Sequence, residues 1–228
     1  MKKIDYCVFH CPGIHLKVRD AVKLRGYFGN LFIERSPLLH NHFEDGTLRY
    51  KYPLVQYKII DGEPFIVAID EGATLLRKLF FEIREIVIEG ETFPITEKFI
   101  GSDCKYIGVD DELHTYFFTT NWMALNEENF TKYKDMSHNL ERNDFLKRIL
   151  IGNLLSLFKS LGHHEERKIM AIVDVRGDHS NFKENRMLVF KGEFTTNVLL
   201  PSLIGIGKAV SRGFGTIKEK GIENVFDN

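Results

Sequence analysis

Cysteine is scarce in this sequence, with three among 228 residues (Cys7, Cys11 and Cys104). An odd count, with no second close pair to complete a tetrahedral site, argues against a disulfide framework and against structural zinc. It points to a reduced cytoplasmic setting. No apolar run approaches the roughly 18 residues that a membrane-spanning helix requires, so no membrane partner is expected. The opening MKKIDYCVFHCPG has a basic pair but lacks the apolar stretch and small-residue site of a secretory signal. Low-complexity linkers are also missing, so the parts of the chain are expected to pack tightly. Hydrophobic residues at 43% and charged residues at 28% are the proportions of an ordinary globular protein.

Nor is there an excess of one charge, since 31 Lys+Arg stand against 32 Asp+Glu. The distribution is less even. Residues 1–60 hold 10 basic against 5 acidic side chains, residues 61–135 hold 7 against 16, and residues 136–228 hold 14 against 11. A polyanion would be drawn to the two ends of the chain and repelled by its middle.

Periodicity gives the element order. Residues 4–10 read as a strand, and apolar positions from Val18 to Phe32 recur at helical spacing until Ser36-Pro37 stops them. Strands follow at 54–60 and 64–69 around a hairpin signal, Asp61-Gly62, then a helix over 72–81 and a strand over 84–88. Strand, helix, strand, strand, helix, strand is the ferredoxin-like order. Beyond it the sequence predicts short strands near 92–101, 106–109 and 114–119, and a helix over 127–134 capped by Asn126. A longer helix over 144–161 ends at Gly162, and two long strands follow at 168–175 and 186–192. The reading is α+β, with tandem ferredoxin-like domains. The first covers residues 1–90 and the second, modified, residues 91–228.

The most informative stretch is Gly205-Ile206-Gly207-Lys208-Ala209-Val210-Ser211-Arg212-Gly213-Phe214-Gly215. Glycine lets backbone amides approach an anion closely, and Lys208 and Arg212 add positive charge. A dinucleotide loop would need glycine at Val210, and a Walker loop would need Ser or Thr at Ala209, so neither fits.

Two glycines, five residues and two more glycines near the C-terminus resemble the signature loop of repeat-associated RNA-binding proteins, which include the Cas6 endoribonucleases. The blocks Leu24-Arg25-Gly26-Tyr27-Phe28-Gly29-Asn30, Leu39-His40-Asn41-His42 and Tyr52-Pro53-Leu54-Val55-Gln56-Tyr57 are similar to the b-type branch of that family. The resemblance extends from the first strand to Gly215. It implies two ferredoxin-like modules and cleavage of CRISPR repeat RNA without a cofactor. Other effector-complex subunits and a second copy of the chain are further candidate partners.

Of nine histidines, only His40 and His42 combine close spacing with polar, basic surroundings. In extended backbone they share a face, roughly 7 Å apart along the strand. One neutral imidazole can take the proton of a ribose 2′-hydroxyl while the other, protonated, donates to the departing 5′-oxygen. The products would be a 2′,3′-cyclic phosphate and a 5′-hydroxyl, with no metal involved. Beside them, Arg49, Tyr50, Lys51 and Tyr52 can orient the hydroxyl, stack on a base or stabilise phosphate charge. The resemblance implies that His40, His42 and Tyr50 are catalytic, with Tyr52 a close competitor to Tyr50. Arg49, Lys51 and Tyr52 join Gly205, Gly207, Lys208, Arg212, Gly213 and Gly215 as RNA-binding candidates.

A His-x-His pair can also hold a metal, but Glu44 and Asp45 do not recommend themselves as further ligands. His163-His164 suits a helix C-terminus, Arg176–Ser180 reads as a hairpin tip, and Trp122 reads as core. Two other readings stay open: a non-catalytic RNA-binding subunit, and a small-molecule enzyme on the same fold.

Overall fold

A computed structural model describes residues 1–32, 52–182 and 185–222. His40, His42, Arg49, Tyr50 and Lys51 lie outside the described residues. The chain divides into two compact units. The first comprises Lys3–Lys105 with Val210–Gly213, and the second comprises Met1–Lys2, Tyr106–Ala209 and the residues from Phe214 onward.

In the first unit, strand β1 (Lys2–His10) leads through a 3-10 turn (Val18–Asp20) into helix α1 (Ala21–Leu31). Strands β2 (Val55–Ile60) and β3 (Glu63–Ile69) follow, then helix α2 (Glu71–Leu79). Asp61 and Gly62 join β2 to β3 with φ of 52° and 87°, the left-handed pair that a two-residue hairpin needs. Cys7, Phe9, Val55, Tyr57, Ile59, Ile66 and Ala68 point to one face of the sheet. Leu24 and Phe28 of α1 and Ala73, Leu76 and Leu79 of α2 cover that face and form the core. Arg77 of α2 reaches Asp5 of β1 with two hydrogen bonds, at 2.9 and 2.5 Å, a fork on one carboxylate.

The fourth strand differs from the sequence expectation. β4 (Glu85–Ile88) pairs with β5 (Glu91–Pro94) in a separate hairpin, and the place beside β1 goes to β6 (Phe99–Phe118). Glu89 and Gly90, at φ 54° and 85°, supply the tight turn that sends β5 back along β4. The resulting order is β2-β3-β1-β6.

β6 continues into the second unit and becomes its first strand. Helices α3 (Glu127–Asp135) and α4 (Asn139–Ser160) follow, then β7 (Ala171–Phe182), β8 (Asn185–Leu199) and β9 (Ile217–Glu219). Asn126 caps α3 by accepting from Asn129 N at 2.7 Å. α4 ends as its sequence demands: Gly162 has φ 68°, its N–H donates to Lys159 O, and His163 N donates to Phe158 O. The order is β7-β8-β6-β9. In each unit the first strand therefore lies between the third and the fourth.

Two further expectations are corrected. Arg176–Ser180 is not a hairpin tip, because pairing continues from Arg176↔Lys191 through Ser180↔Met187 to Phe182↔Asn185. The short strands expected around 106–119 are one strand interrupted by a bulge, since Val109 faces Val198 but His114 faces Thr196. His114 secures that bulge, with Nδ1 at 2.9 Å from Glu219 of β9 and Nε2 at 3.3 Å from Asp110.

Candidate nucleic-acid interface

Where a second helix would complete the ferredoxin-like order of the second unit, residues 200–216 hold a single 3-10 turn, Val210–Arg212. Positive φ at Leu203, Gly207, Ala209, Gly213 and Gly215 is incompatible with a helix, so the glycine-rich segment replaces it. Gly205 bridges to Thr216 and Gly207 lies against Trp122. Trp122 is fully buried, stacked on Phe118 at 5.1 Å, and its Nε1 donates to Asn153 at 3.3 Å, so it belongs to the core.

At Gly207, Gly213 and Gly215 nothing larger fits: a Cβ on Gly207 (φ 95°) would stand 2.6 Å from Trp122 Nε1. At Gly215 (φ 63°) an added Cβ would stand 1.9 Å from Ile206 O. At Gly213 (φ 87°) it would stand 2.9 Å from the Ala21 methyl of α1 and 3.2 Å from Tyr57 O of β2. The turn Val210–Gly213 is thereby seated on α1 and β2 within the first unit.

Four of the segment's amides are committed inside the protein. Ile206 N donates to Gly215 O at 2.8 Å, Lys208 N to Met123 O at 3.1 Å, Gly213 N to Val210 O at 3.3 Å and Gly215 N to Asn121 O at 2.8 Å. These four donors are spent, and the side chains of Lys208 and Arg212 carry the segment's positive charge. Lys208 is exposed. Partial desolvation lowers its pKa, and Glu127 partly offsets this.

Arg212, half-buried, stands next to Gly213 on the turn seated against α1. Arg25 lies one helical turn beyond Ala21, on the same side of α1. Its guanidinium pKa is lowered by burial first and then by the charge of Arg212. Periodicity alone could not mark Arg25, because α1 also carries Lys23 and the turn that meets it is almost 190 residues away in the sequence.

Tyr52 is half-buried just before β2, where Gln56 Nε2 donates to Pro53 O at 3.2 Å. The hydroxyl of Tyr6 on β1 is held well above its ordinary value, mainly by burial and in part by Tyr52. Lys58 of β2 is fully buried, and burial takes its ammonium down to about 7. Cys7 and Cys11 are core residues, their thiols pushed up by burial to about 11 and about 12.

Comparison with known proteins follows the same two-part division. The Cas6b N-terminal domain model matches residues 3–105 and the Cas6b C-terminal domain model matches residues 108–220. A crystal structure of Cas6b is 41% identical, covers 95% of this chain and 99% of its own, and superposes with a TM-score of 0.90. A crystal structure of the CRISPR RNA processing endoribonuclease Cas6b is 37% identical over 96% of this chain and 100% of its own, with a TM-score of 0.77. An uncharacterised protein of Methanocaldococcus jannaschii is 32% identical over 141 residues, 61% of this chain and 95% of that protein. With both domain models matched in order across nearly the whole length, the chain belongs to the Cas6b family.

Proposed function

We propose that this protein is an endoribonuclease that binds CRISPR repeat transcripts and cuts them into guide RNAs without a metal. The observation that carries the reading is the match of both Cas6b domains in order, with 37% identity to a CRISPR RNA processing endoribonuclease. The nucleophile is the ribose 2′-hydroxyl next to the scissile phosphate. His40 and His42 take and give the two protons, and Tyr50, or Tyr52 beside it, orients the hydroxyl. Each proton transfer contributes about 10²–10⁴-fold in rate. Two imidazoles of ordinary pKa, one neutral and one protonated, give a bell-shaped rate profile centred near pH 6.5. Arg49, Lys51, Lys208 and Arg212 hold the backbone of the RNA by charge, and the glycines at 205, 207, 213 and 215 shape the segment that presents the last two.

The test is cleavage of repeat RNA in excess chelator, with end-group analysis of the fragments. The reading requires a 2′,3′-cyclic phosphate on one product and a 5′-hydroxyl on the other. A 5′-phosphate product, or activity that returns only with added divalent cation, contradicts it. Tight binding with no product from about pH 6 to 9, a range that takes in the ordinary imidazole pKa near 6.5, would leave a non-catalytic RNA-binding subunit.

A further inference from the structure

In the second unit, the fold positions the guanidinium of Arg142 and then gives it no acceptor. Only residues 136–138 join α3 to α4, so the last turn of α3 meets the first turn of α4. There Arg142 stands over the ring of Tyr133, with Cζ 5.2 Å from the ring centre. Tyr133 is braced in turn by fully buried Phe190, whose ring it meets edge-on at 5.5 Å and 78°. Arg142 and Tyr133 are both half-buried.

Arg142 Nε is shut off from water and has no hydrogen-bond partner. Among the described residues the rest of the guanidinium makes no hydrogen bond or ion pair either. Its own helix offers no acid, since the positions three and four residues away hold His138, Asn139, Phe145 and Leu146. Arg148 on the same helix shows the contrast: Asp144, one turn earlier, accepts from its Nε at 3.0 Å and also from its Nη2. The Tyr133 ring attracts the charge of Arg142 but leaves the N–H groups in the guanidinium plane without acceptors. A partly desolvated cation is costly to hold in that condition.

The place of this pair gives the acceptor its chemistry. Glu127, the first residue of α3, acts electrostatically on Lys208 of the glycine-rich segment. Tyr133 lies six residues farther on, about 9 Å along the helix. One exposed lysine therefore attends the start of α3, and Arg142 attends its end.

We propose that Arg142, held over the Tyr133 ring, grips a phosphate of the bound RNA. The proposal rests on the RNA-binding reading above and deepens it by extending the binding surface from Lys208 along α3 to the start of α4. A phosphodiester offers two non-bridging oxygens, which match the paired N–H groups of a guanidinium fork. Partial burial strengthens the contact, because water screens it less. Tyr133 is a positioning residue: it limits the orientations of the fork, so less freedom is lost on binding.

The experiment is repeat-RNA affinity measured against salt for the wild type, Arg142→Gln, Arg142→Lys and Tyr133→Leu, with Arg148→Gln as a charge-matched control. Loss of one phosphate contact lowers the log–log salt slope by about 0.7–0.9. Arg142→Gln is expected to show that fall together with weaker binding. Arg142→Lys and Tyr133→Leu keep the charge and spoil the fork or its support, so both retain the wild-type slope and bind more weakly. A slope and affinity in Arg142→Gln equal to those of Arg148→Gln overturn the proposal. An affinity loss in Arg142→Gln with no change in slope means contact with a base, and overturns it as well. Should Arg142→Gln fail to fold, Arg142→Lys carries the test, and wild-type affinity in that variant overturns the fork.

If the wild type binds no RNA, the RNA reading fails, and inorganic phosphate at constant ionic strength decides the phosphate site alone. A thermal stabilisation present in the wild type and missing in Arg142→Gln keeps the site. Equal responses in the two proteins remove it.

Discussion

Gly215 and Ile206 are joined back to back: Ile206 N donates to Gly215 O at 2.8 Å, and a Cβ on Gly215 would stand 1.9 Å from Ile206 O. This contact fixes the path of the glycine-rich segment. Gly215→Ala therefore combines a strained left-handed backbone with a direct overlap, and is expected to cost about 3 kcal/mol or more. At this chain length that is a drop on the order of 10 °C in melting temperature. Lys208→Ala, at an exposed position of the same segment, is expected to leave the melting temperature unchanged and weaken RNA binding. Thermal melts and RNA titrations of the two variants separate the structural part of the motif from its charged part.

Glu165 is expected to make the second unit sensitive to acid. Burial works to raise its pKa, but the N–H groups of Val109 and Arg167 and the side chains of His163 and Arg167 outweigh burial and bring the carboxyl down to about 2. A depressed carboxylate contributes stability that is fully present above the unfolded-state pKa and is lost as pH falls through the folded value. Here the window runs from about 4.5 to about 2, and the contribution at neutral pH is on the order of 3 kcal/mol. Glu165→Gln should lower the melting temperature at pH 7, and denaturation across that window should be correspondingly flatter than in the wild type.

Lys58 has the opposite sign. Its ammonium is disfavoured in the fold, with a pKa of about 7 against 10.5 for an exposed lysine. Between those values the unfolded chain binds the extra proton, so stability rises with pH. The slope contributed by this one group is at most about 1.4 kcal/mol per pH unit. Lys58→Met should remove that rise. Unfolding in denaturant at several pH values between 7 and 10 checks it. A wild-type slope that survives in Lys58→Met would mean that other groups cause it.

These elements show where the sequence was legible. Asp61-Gly62, Asn126 and Gly162 are local signals whose backbone geometry follows from one or two residues, and each does in the fold what its residue type predicts. The fourth strand of the first unit was not legible. Ile86 and Ile88 alternate as well as any sheet strand does, and only competition for the edge of β1, a contact between distant segments, decides that β6 takes it. The bulge in β6 was hidden because Asp110, Asp111 and Glu112 look like a polar turn between two strands. The glycine motif stood out in composition, but the commitment of its amides to Met123, Val210, Asn121 and Gly215 depends on partners that no spacing rule identifies. Arg25 stayed unmarked because its neighbour arrives from the far end of the chain.

His40→Ala and His42→Ala are expected to lower the single-turnover cleavage rate by about 10²–10⁴-fold each, the range for a lost proton transfer, while RNA affinity changes little. The double variant should lose less than the product of the two single losses, as expected of two residues that act on one transition state. Rates unchanged in both single variants would place the acid and the base elsewhere in the chain.

The most direct measurement replaces the one ribose before the scissile phosphate with deoxyribose. If the sugar's own hydroxyl is the nucleophile, that RNA binds as tightly as the unmodified repeat and gives no product even at long times. Cleavage at the modified position, at any rate comparable to that of the unmodified RNA, would show that another nucleophile attacks and would contradict the mechanism.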